Sequence, residues 1–201
     1  MQGYWIDGEN FLRRSRLHED VAEPLGAGLT LLDEQRRNWP ACWPSGSKEF
    51  DCWRDELIEV VEAWRDTVSN TGGDPSRERI ILAGHSDGAT MALRLAVECR
   101  DIVAGVVSYA GVYDHFVRGA GAELPNGLPP ALFLTNEHDV LVPPVNAQDL
   151  ANLWGGSGGA TQYNTIDCEQ RVGLRSHRWL TAANGPIREW IAATAKIAGS
   201  Q

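Results

Sequence analysis

The chain has 201 residues, 43% of them hydrophobic and 22% charged, and 27 acidic against 18 basic side chains leave a formal net charge of −9. That balance excludes nucleic acid and anionic membrane as principal partners, because both reward clustered Lys and Arg; the one basic cluster, Arg13-Arg14-Ser15-Arg16, suits a solvated helix face. No run approaches the roughly 18 consecutive apolar residues of a membrane span, and the opening MQGYWIDGEN lacks the charged start and apolar stretch of a signal peptide, so a soluble, cytoplasmic protein is expected.

A chain of this length buries roughly 70% of its unfolded surface, so one domain over residues 1–201 needs neither metal nor disulfide to build a core. Tyr4-Trp5-Ile6 predicts a short strand ended by Asp7-Gly8, and residues 17–25 a helix broken by Gly26-Ala27-Gly28. Leu29 to Leu32 predicts the next strand. Residues 36–50 are irregular, rich in Trp and Pro, and from Phe50 the spacing of Trp53, Leu57, Val60, Val61 and Trp64 predicts an amphipathic helix to about Ser69. A strand over 79–83, a helix over 88–98, strands over 103–110 and 131–135, a helix over 144–154 stopped by GGSGG, a strand over 162–166 and a helix over 184–197 complete the chain. Strands alternating with helices predict an α/β class: a doubly wound, mostly parallel sheet with right-handed crossovers.

The four cysteines, Cys42, Cys52, Cys99 and Cys168, have neither CxxC spacing nor a neighbouring His pair, so no metal site is expected. Cys42 and Cys52 suit either a bridge across an irregular loop or two reduced thiols beside tryptophan, the second being preferred.

The chemistry concentrates in RIILAGHSDGATMALRLA, residues 79–96. Ile80 to Ala83 form a continuous apolar run, as in a strand covered on both faces, and the apolar positions after Gly88 suit a buried helix, so Ser86 stands on a strand-to-helix turn. A serine hydroxyl is a poor nucleophile at neutral pH; it needs exposure, a base beside it and donors for the oxyanion it creates. Gly84 and Gly88 leave room for strand and helix to approach, and the Asp87 amide at the helix start is a candidate oxyanion donor, aided by the helix dipole. In a parallel sheet the loops after the strands emerge at one edge; Asp139 and His177 follow strands as Ser86 does, and each separation leaves room for one or two βα units. His177 then takes the Ser86 proton and returns it to the leaving group, while Asp139 orients the imidazole. Asp114, after the strand at 103–110, is the rival acid. His18 and His115 read as surface residues, and His85 and His138 as flanks of the substrate pocket.

With these residues in view, the sequence resembles the α/β-hydrolase fold and, within it, the carboxylesterase, phospholipase and dienelactone hydrolase group. DPSRERIILAGHSDGA is similar to that group's approach to its nucleophile, NEHDVLVP (136–143) to its acid loop and SHRWL (176–180) to its histidine loop. The acid-loop match is what favours Asp139 over Asp114. The resemblance implies a second oxyanion donor in a loop where the group carries His-Gly and this chain Asp7-Gly8-Glu9-Asn10, leaving the amide of Glu9 or Asn10. It also implies a minimal six-stranded sheet, order 4-3-5-6-7-8 in the group's strand naming, lacking the first two strands and any cap domain. The stretch GVYDHFVRGAGAELPNGLPP is too short and too rich in Gly and Pro for such a cap, so the site is expected to be open, with Trp39, Trp43 and Trp53 offering a pocket wall or ordinary packing. The expected activity is cofactor-free hydrolysis of a small or medium carboxylic ester through an acyl-enzyme, by a monomer or homodimer. Thioester, lactone, polyester or peptide substrates, and a catalytically silent binding protein, remain as alternatives.

Overall fold

A computed structural model describes residues 8–30, 47–72, 80–121, 123–167 and 173–198. Their centre is a parallel sheet in the order β1-β2-β3-β4, formed by β1 (Ile80–His85), β2 (Val103–Tyr109), β3 (Ala131–Asn136) and β4 (Thr161–Ile166). The first three strands are apolar runs because helices cover both their faces. β4, TQYNTI, is largely exposed and more polar, as an outer strand is.

Alternation along the strands sorts the core into two layers. On one face Leu82, Val106 and Phe133 pack with Phe50, Leu57 and Val61 of α3 (Lys48–Asn70), Met91 and Leu95 of α4 (Asp87–Glu98), and Leu150 and Trp154 of α6 (Pro144–Gly156). On the other, Val107, Tyr109, Leu132 and Leu134 pack with Phe11 of α1 (Gly8–Ser15), with Val21 of a π-helical turn over His18–Ala22, and with Ile187 and Trp190 of α7 (Asn184–Ala198). The doubly wound parallel sheet read from the sequence is the architecture observed.

Local chemistry explains most element ends. The Ser47 hydroxyl accepts from the Phe50 amide at 3.3 Å and caps α3. α1 stops at Arg16, whose φ of 55° is left-handed, and the helix expected over residues 17–25 follows as the π turn and the short α2 (Glu23–Leu25), ending at Gly26, whose φ of 63° is left-handed too. A helix not anticipated, α5 (Tyr113–Ala120), occupies the first half of the Gly- and Pro-rich stretch. Phe116 is its buried anchor, and Gly119 leaves room for the buried Arg94 side chain, whose guanidinium carbon would lie 2.7 Å from a Cβ there.

Two expected strands are not among these elements. Leu29 and Thr30 lie in irregular backbone, with Leu29 exposed, and Leu31 and Leu32 lie outside the described residues, as does the strand at 4–6. Trp39, Trp43, Cys42 and Cys168 also lie outside them, and with Cys42 the alternative of a bridge to Cys52, which is an exposed free thiol. Trp53 packs against the core layer under α3, the ordinary packing that the sequence allowed for it. Among the described residues no helix is long and apolar enough to cross a membrane.

Candidate active site

The ends of β1, β2 and β3 meet at one rim: His85 is in register with Tyr109, Tyr109 with Leu134, and β3 runs two residues further to Asn136. Ser86 follows β1 and starts α4. Its φ of 56° and ψ of −128° lie in a region that residues with a side chain rarely occupy. The neighbours tolerate this strained turn: a Cβ on Gly84 would stand 2.2 Å from the Gly88 carbonyl oxygen, so only glycine lets strand and helix come this close. The Ser86 amide donates to the Tyr109 carbonyl at 2.9 Å, which ties the turn to β2.

His177, 91 residues away, ends a 3-10 turn over Gly173–His177, and its Nε2 lies 2.9 Å from the Ser86 hydroxyl. Its Nδ1 lies 2.7 Å from Asp139 Oδ2. Because the carboxylate can only accept, Nδ1 carries the hydrogen and Nε2 is left to accept from the serine. Asp139 is buried in the loop after β3, and its other oxygen accepts from the amides of Leu141 and Val142, each at 2.9 Å. Those two amides fix the carboxylate's orientation. Asp114 is exposed in the first turn of α5, and the carboxylate that meets the imidazole is that of Asp139 instead.

The histidine loop is held by two residues that the sequence reading passed over. Asn136, fully buried at the end of β3, donates through its side-chain amide to the carbonyls of Ser176 and Arg178, on either side of His177, the latter at 2.9 Å. The Tyr109 hydroxyl donates to Asn136 Oδ1 and accepts from the Leu180 amide at 3.4 Å. The Ser176 hydroxyl links this loop to the acid loop, donating to the Gly173 carbonyl at 2.7 Å and accepting from the Val140 amide at 3.3 Å. The available signal was an Asn opening NEHDVLVP straight after an apolar strand, where a side-chain amide has no packing use.

The remaining expected residues separate. His85 is buried beside His177, ring centroids 5.0 Å apart, and edge-on to Tyr109 and Trp179. Burial, and then the neighbouring His177, pushes its pKa down to about 3, so it is neutral at physiological pH. His138 is exposed and His18 is on the surface. His115 is not an idle surface residue: its Nδ1 lies 2.8 Å from the side chain of Asp87, the residue after the serine. Asp87 opens α4, where its amide faces no earlier turn of helix. Glu9 and Asn10 stand in the first turn of α1 rather than in a loop, and Phe11 of the same helix meets Trp179 edge-on at 5.5 Å, close behind His85 and His177.

No protein-family model matches this sequence, and a search of curated proteins finds no match. Solved structures do match. A carboxylesterase from Bacillus cereus is 18% identical over 96% of this chain and 86% of its own, with a TM-score of 0.66. The Arabidopsis thaliana protein SOBER1 is 15% identical over 96% of both chains, TM-score 0.61, and an alpha-beta serine hydrolase homologue from Coxiella burnetii is 17% identical over 90% of this chain and 77% of its own, TM-score 0.56. This is the α/β-hydrolase fold. In that fold a serine on a strained strand-to-helix turn is followed in the chain by an acid and then a histidine, and Ser86, Asp139 and His177 stand in that order.

Proposed function

We propose that this protein is a serine hydrolase that cleaves small to medium carboxylic esters through an acyl-enzyme, with Ser86 as nucleophile, His177 as general base and acid, and Asp139 as the carboxylate that orients the imidazole. The observation that carries the reading is the unbroken chain of hydrogen bonds from the Ser86 hydroxyl through His177 to Asp139, at 2.9 and 2.7 Å. As Ser86 Oγ attacks the ester carbonyl, its proton passes to His177 Nε2, and the carbonyl becomes an oxyanion. That charge is received by the Asp87 amide at the start of α4, with the amide of Glu9 or Asn10 in the first turn of α1 as the second donor. Collapse of the intermediate expels the alcohol, which takes the proton from His177. Water, activated by the same imidazole, then releases the acid and restores Ser86.

Two features support an ester of modest size. Among the described residues, the stretch between β2 and β3 carries no helix longer than the eight residues of α5 to serve as a cap. Val140 and Leu141 on the acid loop and Leu174 on the histidine loop are exposed, so the two loops that carry Asp139 and His177 also present apolar surface. Solved structures of the same fold that carry esterase names agree with this class of substrate. The test is labelling with a fluorophosphonate probe together with turnover of p-nitrophenyl acetate, butyrate and octanoate. Wild type labels and turns over the shorter esters; Ser86→Ala folds but does neither, with kcat reduced on the order of 10^4-fold or more. Hydrolysis retained by Ser86→Ala overturns the proposal, and so does a folded wild type that neither labels nor turns over.

A further inference from the structure

Beside His177 lies a cavity of about 370 Å³ lined by Phe11, Arg14, Ser15, His85, Arg178, Trp179 and Thr181. None of the three triad residues lines it. Its volume falls within the range of about 300–1,000 Å³ typical of small-molecule sites. Three polar features of this cavity are unused. The Arg14 and Arg178 side chains both reach it, and neither guanidinium has a partner among the described residues, in a chain whose net charge is −9 and whose acidic side chains are plentiful. His85, only 5% exposed, has its Nε2 without a hydrogen-bond partner. A buried polar atom without a partner is costly and, in native proteins, calls for an explanation such as a bound ligand. Ser15 and Thr181 also line it, and its apolar part is the Phe11 and Trp179 rings, which stand edge to face at 5.5 Å.

We propose that this cavity is a second ligand site, separate from the triad, for a small organic carboxylate with an apolar or aromatic body. The two arginines are exposed and so stand at its mouth, where they pair with the carboxylate; the body lies along Phe11 and Trp179; and His85 Nε2–H meets an acceptor at the buried end. Burial keeps His85 neutral, so it donates here without adding charge. The apolar wall distinguishes this class from inorganic anions, which would leave Phe11 and Trp179 uncovered.

The experiment is a titration of the whole chain with sodium benzoate at constant ionic strength, followed by calorimetry and by the ring resonances of His85. It is repeated in Ser86→Ala, so that binding is read independently of any activity at the serine. Saturable binding is expected in both proteins, with His85 signals shifting, and with affinity falling about tenfold in each of Arg14→Gln and Arg178→Gln, the loss of one charge-assisted hydrogen bond. Thermal melts of the two arginine variants confirm that they are folded. Absence of saturable binding in wild type, binding indifferent to both arginine changes, or inorganic phosphate binding as tightly as benzoate would each overturn the proposal.

Discussion

Ser86 and His85 are neighbours in the chain that the fold sets to opposite tasks: the serine hydroxyl meets the imidazole of His177, while the His85 ring is sealed behind that imidazole. The sealed ring has a thermodynamic consequence. Folded, His85 protonates only near pH 3, whereas in the unfolded chain it does so near 6.5, so between these values the unfolded state binds more protons. Its contribution is therefore intact above about pH 6.5 and is lost as pH falls towards 3. His85→Phe is expected to flatten the fall in urea midpoint between pH 7.5 and pH 4.5; an unchanged slope in the variant would show that His85 is not the group responsible. The acid is assigned at the same scale. Asp139→Asn should lower kcat on the order of 10^4-fold by presenting the wrong hydrogen-bonding partner to Nδ1, and Asp114→Asn should leave it within a few-fold of wild type. Steady-state kinetics on p-nitrophenyl butyrate separates them, and a larger effect at Asp114 would move the acid to α5.

Among the elements, the turn between β1 and α4 is over-determined. Gly84→Ala places a methyl against the Gly88 backbone, which no side-chain rotation relieves, so a destabilisation of about 3 kcal/mol or more and loss of probe labelling are expected together. Denaturant melts alongside labelling check this; a stable and fully reactive Gly84→Ala would mean that strand and helix are less tightly apposed than described. The histidine loop depends instead on polar contacts from the ends of β2 and β3. Asn136→Ala frees the carbonyls on both sides of His177, and a misplacement of about 1 Å at the base costs roughly 10^2-fold in kcat. The KM should change little, since no substrate contact is removed, and an effect confined to KM would contradict a positioning role.

Across the whole molecule, the sheet is closed on its second face by an N-terminal helix that contributes from the far end of the chain. Asn184 at the start of α7 donates to the Ser15 carbonyl at 2.7 Å and to Asp20 at 2.9 Å, and accepts from the Trp179 indole at 3.0 Å, joining α1, the π turn, α7 and the histidine loop at one buried point. Asn184→Ala is expected to cost about 1–3 kcal/mol by leaving these groups unpaired. The urea midpoint should fall with its slope unchanged, and a changed slope would point instead to a second folding unit.

What could be read in the sequence was whatever local periodicity and residue chemistry encode. The apolar runs at 80–83, 103–110 and 131–135 announced covered parallel strands, and the glycines around Ser86 a strained turn, because steric demands act over a few residues. Asp139 and His177 were legible as candidates because loops after parallel strands share one edge. What only the tertiary structure decided was every feature that depends on partners distant in the chain. Tyr109 carries no local signature of its grip on the histidine loop and Asn136 only that of a polar residue closing an apolar strand, with no hint of its partners; α5 forms because Phe116 and Gly119 find a core and Arg94, and His85 became a buried neutral ring only once Trp179 and His177 packed against it. Burial and long-range hydrogen bonding are properties of assembled surfaces, and no window of sequence contains both sides of such a contact.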